Sequence, residues 1–291
     1  MKPSPSRQWQ PLGTCAPETL IDARLQLHHA AQIVASVGFT YVDPAPDFSH
    51  TNMEWFANLG ALASNPASGE KPFRAVLRFA DLALLLLDRD RAVVDEFPLE
   101  GRTIDQGYQW LAASIESIKG EPPAKPLFRP EHELPSHPVA QGAKFSRGAS
   151  PPYQELARWY ADADLVLRKL RAETRDASPV RCWPHHFDIA TLIEVERGAD
   201  GNATKAIGVG MTPGDEYYPE PYWYVTPWPR PEGSQLPPLK GNGQWRAEDW
   251  FGAVLPASRL PSEPADQQAR LVSDFTRSAV AAGLKLLKAG G

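Results

Sequence analysis

Proline placement constrains this chain more than any other feature. Of its 30 prolines, eight fall between Pro122 and Pro152 and eight more between Pro213 and Pro238. Each lacks the N–H that a helix interior or a central strand needs, so regular structure is pushed out of these two stretches. With 291 residues, 42% of them hydrophobic, the remainder has ample material for a core, and the proline excess does not signal disorder.

Outside those stretches the apolar spacing predicts four helices. The first runs from about Pro17 to Val37 on a stripe of Leu20, Ala23, Leu27, Ala30, Val34 and Val37, with Gly38 as its stop. Thr103 followed by Gln106 is a capping-box signature for a second, ended by Lys119-Gly120. A third starts at Ser150-Pro151, and the last covers about Ala265 to Lys288. Strands are predicted over Glu54 to Leu62, Phe73 to Leu87, Ala92 to Leu99, Val180 to Glu196, Ala206 to Met211 and Tyr222 to Thr226. These elements describe an α+β chain of two successive helix, antiparallel strands, helix halves: residues 1–120 and 153–291, joined by a proline-rich linker or arm over 121–152. The repeated order suggests an internal structural duplication within one compact unit. Runs of strands without crossover helices argue against a doubly wound parallel sheet.

A net charge of −5 without a Lys/Arg cluster argues against a nucleic-acid or anionic-membrane partner. The longest apolar run, Leu82 to Leu87, is far short of the roughly 20 residues a membrane helix needs. Residues Met1 to Gly13 carry no apolar signal region, and Cys15 and Cys182 form no disulfide framework, so a cytoplasmic location is expected. HExxH, GxSxG, P-loop and GxGxxG motifs are absent.

Two segments concentrate chemistry. In Trp183-Pro184-His185-His186-Phe187-Asp188, an extended backbone puts His186 and Asp188 on one face, a spacing suited to metal ligation or to a base with its orienting carboxylate. The alternative is a structural His186–Asp188 pair with His185 a satisfied core histidine. The stretch from Thr212 to Tyr224 packs Asp215, Glu216 and Glu220 among five aromatics on a proline-stiffened loop, which suits either a ligand wall or the cover of a sheet edge. His28, one turn before Gln32, and His50, just before the first strand, complete the candidates; His132 and His137 read as solvated.

Leu27-His28 with Gln32-Ile33-Val34, then His50, Phe187-Asp188-Ile189-Ala190, and Pro213-Gly214 leading to Tyr218-Pro219-Glu220-Pro221, in that order, resemble a family of bacterial proteins of about this size, a domain of unknown function with no assigned activity. The similarity takes in Ala163-Asp164 and Arg168 and covers most of the chain. It implies that His28, His50, Asp188 and Glu220 belong together. The chain departs from that family at His185-His186, so a site needing both histidines would be particular to this branch.

Two functional readings follow. In the first, a small molecule binds in a cleft between the halves, with His186, Asp188 and Glu220 as candidate catalytic groups and Tyr218, Tyr222, Trp223 and Gln32 as ligand contacts. His28, His50, His186 and Glu220 would be ligands for a divalent metal such as zinc, iron or manganese. In the second, the histidines are structural and the proline-aromatic loop docks a ligand or a protein partner without catalysis. A duller third makes the His/Asp/Glu set a buried network serving stability.

Overall fold

All four helical periodicities form helices. In the computed structural model, which describes residues 8–121, 126–148, 150–199, 201–231, 235–260 and 264–289, α1 spans Leu20–Tyr41, α2 Ile104–Lys119, α3 Pro151–Glu173 and α4 Ala265–Ala289. The capping box of α2 is present in full: the Gln106 N–H donates to Thr103 Oγ1 and the Thr103 N–H to Gln106 Oε1. At the other end Gly120 takes the left-handed conformation that closes the helix.

Gly38 does not stop α1, which runs through it to Tyr41. Its role is steric. A Cβ at this position would lie 2.5 Å from the His50 carbonyl oxygen and 2.8 Å from the Thr51 Cα, so the absence of a side chain lets the helix pass the 3-10 turn Ser49–Thr51 at close range.

Two of the long apolar stretches are folded hairpins. Residues 54–62 hold most of β1 (Met53–Phe56) and the start of β2 (Ala61–Ser64); residues 73–87 hold β3 (Arg74–Arg78) and β4 (Ala83–Leu87). The second reversal passes through Phe79 and a left-handed Leu82, φ 51°, so apolar residues occupy the turn as well as the strands. β5 (Val93–Pro98) is the exposed edge.

The chain divides into two compact units rather than one, and neither is continuous in sequence. The first comprises Thr19–Ala157 with Arg181–Phe187, and includes β6 (Arg181–Cys182). Its strands are antiparallel in the order β6-β1-β2-β3-β4-β5. α1 packs on β2, β3 and α2, and a Cβ on Gly107 of α2 would strike Ile33 and press on Leu84. Phe56, Ala61, Ala63, Val76, Leu85 and Leu87 make a further cluster, with the Arg74 and Arg91 guanidinium groups over the Phe56 ring.

The proline-rich segment is an arm packed along α1. The Phe128 N–H donates to Thr40 Oγ1, His29 Nε2 to the Pro135 carbonyl and His137 Nε2 to Asp22, while Gln26 exchanges two hydrogen bonds of 2.8 Å with the Ser146 backbone. Its own Val139 and Phe145 are buried. Residues 122–125 and 149 of this segment lie outside the described residues.

The second unit comprises Met1–Glu18, Arg158–Val180 and Asp188–Gly291. It contains β7 (Ile189–Arg197), β8 (Ala203–Thr212), β9 (Tyr222–Trp228), β10 (Gln244–Arg246) and β11 (Gly252–Pro256), antiparallel in the order β10-β11-β9-β8-β7. Alternation places Ile207, Val209 and Met211 of β8 beside Trp223 and Val225 of β9 on one buried face, against which α4 packs. Among the described residues no helix is long and apolar enough to cross a membrane.

Candidate functional site

All seven histidines lie in the first unit, and most already have structural work. His28 is buried on α1, its Nε2 donates to the Pro184 carbonyl at 2.9 Å, and its ring stacks on Phe187 with centroids 5.0 Å apart. Burial depresses its pKa to about 3, with His29, His186 and Arg24 adding repulsion, so the ring is neutral. Gln32 donates from Nε2 to the carbonyls of His28 and Pro184, and its buried Oε1 has no hydrogen-bond partner among the described residues. His50 accepts the Ala45 N–H at Nδ1.

His132 and His137 are not solvated. The His137 side chain accepts the Val139 N–H as the cap of a 3-10 turn, and His132 is half-buried against Phe39 and His185. The expected strand through His185-His186 is a turn: the Phe187 N–H bonds the Trp183 carbonyl at 2.7 Å, and Phe187 is left-handed at φ 56°. Period-two alternation therefore does not hold across 183–188, and its placement of His186 with Asp188 falls. His186 is exposed beside His185, with ring centroids 4.2 Å apart.

The remaining candidates belong to the second unit. The Tyr224 hydroxyl donates to Asp188, and Tyr222 donates to Asp215 at 2.5 Å. Asp215 also accepts the N–H groups of Tyr217 and Tyr218, closing the loop on itself. Glu220 accepts both the N–H and the hydroxyl of Ser258 at 2.6 and 2.8 Å, an anchor for the strand end. Trp223 points into the core, stacked on Trp9, because strand alternation gives Tyr222 and Tyr224 the opposite face. It is not part of a ligand wall. Tyr218 is half-buried with the Arg246 guanidinium 5.5 Å over its ring.

Among the described residues no group of three or more His, Cys, Asp or Glu side chains is arranged to hold a metal. Of the proposed ligands, His28, His50 and His186, all in the first unit, belong to no such group. His28 Nε2, His50 Nδ1 and the Glu220 carboxylate are each engaged by a local backbone or hydroxyl group.

A cavity of about 450 Å³ opens instead where the proline-rich arm meets the first turns of α1 and the start of α3. Thr19, Asp22, Ala23 and Gln26 supply one wall, 137–139 with Lys144 and 146–148 a second, and Pro152 with Tyr153 a third. Spacing of three and four residues puts the α1 group on one helix face. Asp22 is 70% exposed; it accepts from His137 Nε2 and, at 2.7 Å, from Gln26 Nε2. Lys144 and the Arg147 guanidinium have no carboxylate within ion-pairing distance among the described residues. Tyr153 is 1% exposed, and its hydroxyl, sealed from solvent, has no hydrogen-bond partner among the described residues. Burial raises the pKa of that hydroxyl, with Asp22 and Glu100 adding to the rise and Arg147 opposing it, so it stays a protonated donor.

Sequence reasoning passed over this cavity. Tyr153 lies three residues before Leu156 and reads as one more core position of α3, while Lys144 and Arg147 sit in a stretch without periodicity. Comparison of the chain with protein-family models, with curated proteins and with solved structures finds no match.

Proposed function

We propose that the chain is a small-molecule-binding protein and that its ligand occupies the cavity beside the first turns of α1. The observation that carries this reading is the mismatch between the cavity's volume and its lining. At about 450 Å³ it falls in the range of small-ligand sites, and it gathers two cations, Lys144 and Arg147, that have no ion-pair partner among the described residues. Because α1 and the arm are held together by the Gln26 and His29 bonds, the walls are already in place before a ligand arrives.

A second reading places a ligand or partner on the aromatic loop of the second unit. It is supported by Tyr217 and Trp228, exposed at 40% and 56%, and by Arg246 lying over both Tyr217 and Tyr218. It carries less weight because Asp215 and Tyr222 already bond each other within the loop and Glu220 is taken by Ser258.

Thermal denaturation in the presence of a panel of neutral and charged metabolites tests the first reading. A true ligand at a hundred times its Kd adds about 2.7 kcal/mol, enough to raise the midpoint by a few degrees in a chain of this length. A panel in which nothing raises the midpoint, or in which every hit is lost on changing Tyr217 and Trp228 to alanine, contradicts it.

A further inference from the structure

We infer that residues 130–136 of the proline-rich arm are a histidine latch over α1, closed while its imidazoles are neutral and lifted when they take up protons, with the arm still anchored on either side. The latch lies outside the cavity walls, so it stands or falls apart from the ligand reading.

Six of the seven histidines meet where this stretch crosses α1 and the turn over 183–187. His137, His29 and His28 follow one another with ring centroids 6.1 and 6.4 Å apart, and His132, His185 and His186 with centroids 5.6 and 4.2 Å apart. Among the described residues Asp22 is the one carboxylate bonded to any of the six. Two contacts close the latch. His29, 4% exposed, donates from Nε2 to the Pro135 carbonyl at 2.9 Å. His132 sits against Phe39 and His185, its Nε2 buried and without a hydrogen-bond partner among the described residues.

An imidazolium carries an N–H on both nitrogens, so a proton on His132 leaves a buried donor without an acceptor. The new charge also faces His185 and His186 across the contact, and a charge on His29 faces His28 on its own helix and His137 on the arm. Glu131 and Glu133, on either side of His132, are exposed, and Arg24 adds positive charge beside His28. Burial lowers the pKa of both latch histidines; the Pro135 bond opposes this at His29, and neighbouring imidazoles add to it at each. Lifting restores the ordinary value of 6.5. The latch is therefore fully held above pH 6.5 and weakens as pH falls below it, by up to about ten-fold per pH unit for each proton taken up.

The flanking anchors tolerate acid. On one side Arg129 pairs with Asp105 of α2 and lies over the Tyr108 ring, while the Phe128 N–H donates to Thr40 Oγ1. On the other, His137 bonds Asp22, a contact that a proton on the imidazole strengthens, and Gln26 holds Ser146. Lifting is thus confined to the stretch between them.

Nuclear Overhauser contacts in the full, isotope-labelled chain at about pH 7.5 and about pH 5 test the latch, with wild type set against the combined variant His29→Gln, His132→Phe. Gln keeps a donor for Pro135 and Phe keeps a ring beside Phe39, and neither titrates. In wild type the contacts from Phe39 to His132 and from His29 to Pro135 should lose more than half their intensity at the lower pH, while the Phe128 and Ser146 amides keep their hydrogen-exchange protection within about three-fold. The variant should hold both contacts at both pH values. Unchanged contacts in wild type, an equal loss in the variant, or joint loss of the latch contacts and the anchor protection overturns the inference. A variant already open at the higher pH overturns it too, since the imidazoles would then hold the arm by fit and not by charge state.

Discussion

Acidification from pH 6.5 towards 3 should destabilise the fold steeply, and His28 should account for about one proton of that dependence. Its folded pKa of about 3 lies below the model-peptide value of 6.5. Between those limits the unfolded chain holds a proton on this imidazole that the folded chain refuses. Stability is therefore fully present above pH 6.5 and declines by about 1.4 kcal/mol per pH unit as pH falls through the window. For a ring 6% exposed the whole loss is on the order of 5 kcal/mol, a large part of a domain's stability. His29, His132 and His185 are depressed by burial too and act in the same direction. Urea unfolding at several pH values, in wild type and in His28→Phe, measures the slope. Phe keeps an aromatic partner for Phe187 but cannot titrate, so its slope should be shallower by about one proton. Equal slopes would show that His28 takes up its proton in the folded chain.

Gly38→Ala should destabilise the protein by about 2–3 kcal/mol, against the expectation from helix propensity, where alanine gains about 1 kcal/mol over glycine. Both atoms that the new Cβ would meet, the His50 carbonyl oxygen at 2.5 Å and the Thr51 Cα at 2.8 Å, are backbone, and Thr51 is buried. Neither can swing aside as a side-chain end would, so α1 or the 3-10 turn must move. A lower urea midpoint with an unchanged m-value is the expected result. A rise in midpoint would mean that α1 and residues 49–51 do not approach as described.

The same position shows where the sequence was legible and where it was not. Helical periodicity located α1 to α4, and at α2 and α4 nearly to the residue, because apolar spacing and the Thr103 cap are local signals. Glycine 38 carried two meanings, a helix stop or a close approach, and only the packing partner His50-Thr51 decides between them. The hairpin inside 73–87 was hidden because Phe79 and Leu82, both apolar, form a reversal that sequence marks with no proline or glycine, whereas the one inside 54–62 turns at Asn58 and Gly60, a signal the sequence reading passed over. β10 and β11 are short and lie beyond the second proline-rich stretch, where no alternation stands out.

The candidate site was harder. Alternation across His185 to Asp188 presumed an extended backbone, and nothing local announces that Phe187 adopts positive φ. The resemblance that grouped His28, His50, Asp188 and Glu220 rested on order along the chain, whereas each of these side chains is engaged in its own surroundings: Pro184, Ala45, Tyr224 and Ser258. The cavity depends on a nonperiodic arm folding back on α1, with Phe128 at Thr40 and His137 at Asp22. Proline marked that segment as irregular without revealing where it packs.

The most direct measurement is an amide chemical-shift map of the isotope-labelled chain titrated with a compound that raises its thermal midpoint. Binding in the cavity predicts that the largest shifts fall on Asp22, Ala23, Gln26, Val139, Ser146, Arg147 and Tyr153, with little change from Asp215 to Tyr224. Shifts concentrated on Tyr217, Tyr218 and their neighbours, with residues 22–26 and 144–153 unmoved, would contradict the account.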